Sequence, residues 1–213
     1  MQGSARNAGR FERSGLGLAG PGGGLLRACL VLATLVAACT TGPVYATFDA
    51  AAPCTADGRY PGAYPALEAR LPNMLLGRGP DAVDSGRSCT APELGTLAGH
   101  GIKEVRFAGA SWFLSGNAGV TLAVFTGDGL TAVWLGEWYE STARAAGSTR
   151  QIDPTRPTIA GAQAYRLDTL NGEQPQTIID WAPAGGDAVY VVVAAGASAA
   201  AIEEATKAFP VDH

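Results

Sequence analysis

Apolar positions along the second half of the chain alternate between two rhythms. Val120-Thr121-Leu122-Ala123-Val124-Phe125 is dense in β-branched and aromatic side chains and predicts a strand, with Asn117-Ala118-Gly119 turning into it. Val105 to Ala108 and Ser111 to Leu114 form the extended stretch before that turn. Leu130, Val133, Trp134 and Trp138 then recur at i, i+3, i+4 and i+8, which predicts an amphipathic helix to about Gly147, capped by Asp128. Pro154 and Pro157 bound a loop. Gln163 to Leu170 reads as a strand, Asn171-Gly172 as a hairpin turn, and Thr177 to Trp181 as the returning strand. Ala188 to Ala195 is apolar on both faces, with Val189, Val191 and Val193 on one side and Tyr190 and Val192 on the other, which predicts a central strand. Ser198 caps a last helix carrying Ile202, Ala205 and Phe209.

The first half is less regular. Pro65 to Leu71 reads as a helical turn stopped by Pro72, and Ala82-Val83 as a short strand. Thr90-Ala91-Pro92-Glu93 has the form of a capping box, followed by the apolar face Leu94, Leu97 and Ala98 and a stop at Gly99. Taken together the elements predict an α+β fold. It is one domain over residues 64–213, an antiparallel sheet with helices packed on one face. Trp134 and Trp138 are expected to be buried against that sheet.

The N-terminus adds a destination. Arg6, Arg10, Arg13 and Arg27 precede an apolar run of eleven residues, Ala28 to Ala38, the pattern of a secretory signal. Such a run spans about 16 Å as a helix, far short of a ~30 Å hydrocarbon core. Val36-Ala37-Ala38-Cys39 resembles the lipobox of bacterial lipoproteins. That resemblance implies a diacylglycerol-modified Cys39, a removed segment 1–38 and a protein held on the extracytoplasmic face of the cell membrane. An ordinary signal peptide is the alternative, and the protein is then secreted. Residues 39–63, rich in Thr, Ala, Gly and Pro, are expected to be a flexible tether.

Export bears on the cysteines. With Cys29 in the leader and Cys39 lipidated, Cys54 and Cys89 remain, and two cysteines in an exported chain most often pair. Closing that loop stabilises the fold by roughly 3–4 kcal/mol on the chain-entropy model. A metal pair is the alternative, and it needs further ligands that His100 and the terminal His213 hardly supply.

Charge excludes one partner class. The chain has 15 basic and 19 acidic residues with only two lysines, Lys103 and Lys207, so no basic patch is available for a nucleic-acid backbone. Without residues 1–38 the balance is 11 basic against 18 acidic. An anionic membrane surface would not hold such a chain by charge, and the lipid has to.

No catalytic or metal constellation assembles from the sequence, and no cofactor is implied. His100 follows a helix end, and Ser111, Ser115, Ser141 and Ser148 lie outside any G-x-S-x-G elbow. Asp81-x-x-Asp84 is too sparse for a calcium loop. Glu137 and Glu140 read as a solvated helix face toward Arg144. Gly127-Asp128-Gly129 lacks the third glycine and the lysine of phosphate-binding loops. Asp168, Asp180 and Asp187 near strand ends leave paired-carboxylate hydrolysis open. Trp112 and Trp181 are the candidate ligand surface, since aromatics often line binding grooves.

Leu71-Pro72, the strand and Leu-rich helix from Phe125 to Ala146, the stretch GDAVYVVVA and the closing Ala208-Phe209-Pro210 resemble a group of uncharacterised exported proteins of high-GC bacteria. The order of elements is also loosely similar to PsbP-type domains, which bears on fold alone. Two functions follow as expectations: a non-catalytic envelope module binding a partner protein or a small apolar ligand, and a hydrolase acting on envelope material.

Overall fold

The computed structural model describes residues 48–209, so the leader and Cys39 lie outside the described residues. Among the described residues nine strands form one antiparallel sheet. In chain order they are β1 (Gly58–Tyr60), β2 (Ala82–Ser88), β3 (Val105–Phe113), β4 (Gly119–Thr126), β5 (Thr149–Thr155), β6 (Thr158–Ile159), β7 (Ala162–Asn171), β8 (Gln174–Trp181) and β9 (Val189–Ala195). Their spatial order is β1-β2-β3-β4-β9-β8-β7-β5, with β6 paired to β7. Five helices accompany them among the described residues: α1 (Pro65–Glu68), α2 (Ala91–Leu94), α3 (Thr96–Gly99), α4 (Ala132–Ala145) and α5 (Ala199–Lys207).

The position of β9 follows from its composition. All seven of its residues are buried, and it lies between β4 and β8, with Ala123 opposite Val191 and Asp180 opposite Val191 on the far side. Val189, Val191 and Val193 pack with Leu135, Tyr139 and Ala143 of α4. Tyr190, Val192 and Ala194 pack with Ala205 of α5, Phe209 just beyond it, and Leu71. Helices therefore cover both faces, which corrects the one-face expectation. A strand apolar on both sides needs two covers, and one helical layer supplies only one.

The long helix settles one residue away from its predicted stripe. Its buried positions are Ala132, Leu135, Gly136, Tyr139 and Ala143, while Trp134 and Trp138 are only partly buried on its flank. Gly136 is the reason. A Cβ there would lie 2.2 Å from Cγ of Tyr165, so only glycine lets α4 descend onto β7. The Thr131 hydroxyl caps the helix by accepting from Trp134 N at 3.2 Å, in place of Asp128. Trp134 instead stacks on His100 with ring centroids 4.5 Å apart.

Other departures have equally local causes. Residues 58–60, expected as tether, form β1 because β2 offers an edge, and Gly86 lets the two approach: a Cβ there would lie 2.4 Å from Gly58 O. Phe48 packs edge-on to Tyr60, so the folded unit includes residues upstream of 64. Cys54 and Cys89 form a disulfide with Cα atoms 6.1 Å apart, a separation that suits the bond. The capping box does not form, since Thr90 Oγ1 donates to Asp57 Oδ2 and Gly95 (φ 51°) splits the segment into α2 and α3. The Pro-bounded loop is partly strand: β5 carries Pro154 on an edge, where a missing N–H is tolerated.

Candidate functional site

The α4 side of the sheet is hollow above β1 to β4. Strand alternation places Arg59, Gly86, Phe107 and Phe125 in one row across the sheet, and Asp84, Gly109 and Ala123 in the next. Leu94, Leu97, Leu135, Trp138 and Tyr139 roof these rows and leave a cavity of about 300 Å³. Its mouth is marked by Asp57, Arg59, Asp84 and Glu93, all half-buried. Arg59 Nε meets Asp84 Oδ2 at 3.1 Å, with side-chain exposures of 28% and 17%.

Burial raises the pKa of Asp84 above the usual carboxyl range, against the opposing pull of Arg59. Glu93 is raised by burial and then by the neighbouring charge of Asp57. Asp57 itself is well anchored: it accepts from Cys89 N at 2.6 Å, from Thr90 N at 2.9 Å and from the Thr90 hydroxyl. The disulfide thus holds a segment that contributes to the cavity mouth. Tyr139 is sealed in the interior, and burial pushes its phenol far above the ordinary value.

Gly109 sits in the middle of β3 on the cavity floor. A Cβ there would meet nothing closer than Thr121 Cγ2 at 3.7 Å and Asp84 Oδ1 at 3.9 Å, which is ordinary contact. Neither packing nor backbone conformation requires glycine at this position. What the missing side chain provides is space.

A second concavity, a groove of about 800 Å³, lies on the opposite face between α5 and the β6–β7 hairpin. Ile159, Ile179, Trp181, Tyr190, Ile202 and Phe209 form its apolar surface, with Arg166 and Lys207 at the rim. Both cations are already paired, Arg166 with Asp168 at 2.6 Å and Lys207 with Glu203.

The two candidate tryptophans part company here. Trp181 lines the groove although only 3% exposed, with its ring against Tyr190 and Phe209. Trp112 is 0% exposed and donates from Nε1 to Arg78 O at 3.0 Å. It is core and presents no ligand surface, because Leu71 and Leu75 pack with it in the same buried cluster.

The other candidate groups do not converge. His100 faces Glu137 at 3.2 Å on the surface. Glu140 accepts from Arg144 at 2.8 Å and also from the Tyr165 hydroxyl. Asp168 pairs with Arg166 and Thr177, and Asp187 with Arg70 at 2.8 Å. Asp180 is fully buried beneath α4, and neither carboxylate oxygen makes a well-formed hydrogen bond. Among the described residues no three His, Cys, Asp or Glu are grouped to hold a metal ion, and no helix is long and apolar enough to cross a membrane.

Sequence reasoning passed over Arg59, Asp84 and Glu93 as a set. The one local signal is Asp84, Gly86 and Ser88 alternating along β2, beyond the Ala82-Val83 pair whose composition predicts a strand. No protein-family model, curated protein or solved structure matches the chain.

Proposed function

We propose that the protein is a non-catalytic binding module of the cell envelope, held at the extracytoplasmic membrane face by a lipid on Cys39, or secreted where the lipobox is not used. Its ligand is a small molecule with an apolar body, seated in the cavity on the α4 side. The observation that carries this reading is Gly109. A mid-strand glycine weakens a strand, and here no contact demands it, so what it preserves is the cavity.

N-phenyl-1-naphthylamine, an uncharged apolar dye, tests the site. Its fluorescence is expected to rise with the wild-type protein and not with Gly109→Leu, whose side chain fills the cavity. Thr206→Trp, which fills the α5-side groove, is expected to leave the signal unchanged. The opposite pattern would move the site to Trp181. One observation favours a second reading: Asp84 and Glu93, both with raised pKa, line one cavity, as a hydrolase acting on envelope material would require. Turnover of envelope extract by the wild type but not by Asp84→Asn would establish that alternative.

A further inference from the structure

We propose that the α4-side cavity selects an organic cation, a compact apolar body bearing an ammonium group. The inference rests on the cavity being a ligand site and adds the ligand's charge. Its walls are aromatic and continuous: Phe107 and Phe125 have centroids 5.8 Å apart, Phe125 and Tyr139 6.5 Å, and Trp138 and Tyr139 4.9 Å. Aromatic faces attract ammonium groups, most strongly where water is excluded.

The charges at the mouth point the same way. Asp57, Asp84 and Glu93 line the cavity. Against them stands the Arg59 guanidinium of the cavity lining, and it is paired with Asp84. Arg87 also touches the cavity, but its guanidinium is directed elsewhere, donating to Ala52 O at 2.8 Å and lying 4.4 Å from the centre of the Phe48 ring. An anionic ligand would add to an excess of carboxylates, whereas a cation would offset it. Glu93 is the group best placed to meet it, since its backbone carbonyl accepts from Trp138 Nε1 at 3.2 Å and so holds it beside the aromatic wall. Burial raises the pKa of both carboxyls, and for Glu93 the neighbouring charge of Asp57 adds to it; a bound cation would oppose both shifts.

The test compares benzyltrimethylammonium, benzyl alcohol and benzoate on the mature full chain, by calorimetry and by quenching of tryptophan fluorescence. The ammonium is expected to bind roughly tenfold more tightly than either other probe, and Glu93→Gln to remove most of that preference while benzyl alcohol binding stays the same. Gly109→Leu is expected to abolish binding of all three. Benzoate or benzyl alcohol binding as tightly as the ammonium, with Gly109→Leu still blocking, overturns the cation and leaves the cavity as a site. Binding of none of the three to folded wild type overturns the cation and the cavity together.

Discussion

The α4 face of the sheet is built in two halves, and two glycines show how differently. Over β7 and β8 the helix is pressed onto the sheet, and Gly136 is there because Tyr165 occupies the place of any Cβ, 2.2 Å away. Over β2 and β3 the roof stands off, and Gly109 has its nearest would-be neighbour at 3.7 Å. One glycine serves close packing and the other keeps a hollow. The carboxylates divide along the same line. Asp180 is sealed in the packed half without a well-formed hydrogen bond, whereas Asp84 sits at the mouth of the open half beside Arg59. A face that is closed at one end and hollow at the other has a core at one end and the candidate site at the other.

The largest expected effect comes from releasing the open half. Replacing Cys54 and Cys89 together by alanine should cost about 3–4 kcal/mol in urea unfolding, on the chain-entropy model. It should also weaken dye binding under conditions where the variant is still folded, because the bridge no longer pins the segment that carries Asp57 against the Cys89–Thr90 amides. Unimpaired binding in that variant would mean the cavity mouth does not depend on the bridge.

Next comes Gly136→Ala in the packed half. The added methyl overpacks against Tyr165 and should destabilise by about 1–3 kcal/mol, although alanine is the better helix former. A raised melting temperature would show that α4 can lift without penalty, and the distinction between the halves would disappear.

Asp180 sharpens the comparison through pH. Burial holds its folded-state pKa well above the ordinary value, with Arg156 opposing and Tyr139 and Tyr165 nearby. The folded state therefore keeps the proton over a range in which the unfolded chain has lost it. That contribution to stability is fully present below about pH 4 and is lost as pH rises through the folded-state pKa. Each unit of elevation corresponds to about 1.4 kcal/mol. Asp180→Asn should match the wild type near pH 4 and melt higher at pH 8. Parallel stability profiles for the two proteins would mean that Asp180 is not sealed.

The smallest effect belongs to Gly109→Ala. Its methyl meets only ordinary contacts, so the change should stabilise by about 0.4–1 kcal/mol through the unfolded chain. Equal destabilisation by Gly109→Ala and Gly136→Ala would show that the two glycines do the same job.

Much of the framework was legible in the chain because it depends on local pattern. The apolar stretch of β9, the β3–β4 and β7–β8 turns, the Ser198 cap and the Cys54–Cys89 pair each follow from neighbouring residues or from simple counting. The candidate site was not legible in that way. Arg59 meets Asp84 across 25 positions of chain, and Glu93 reaches the same cavity from a short helix whose expected cap was taken by Asp57.

Sequence alone determined the long inner strands, the two long helices and that the last strand must be central, because strand and helix periodicity are properties of consecutive side chains. Tertiary structure alone decided that helices cover both faces, that α4 turns Gly136 rather than Trp134 inward, and that residues 58–60 join the sheet. It also decided that Gly109 leaves a hollow. Each of these depends on what stands across the gap from a residue, and a glycine reads the same in the chain whether a tyrosine or an empty space lies opposite.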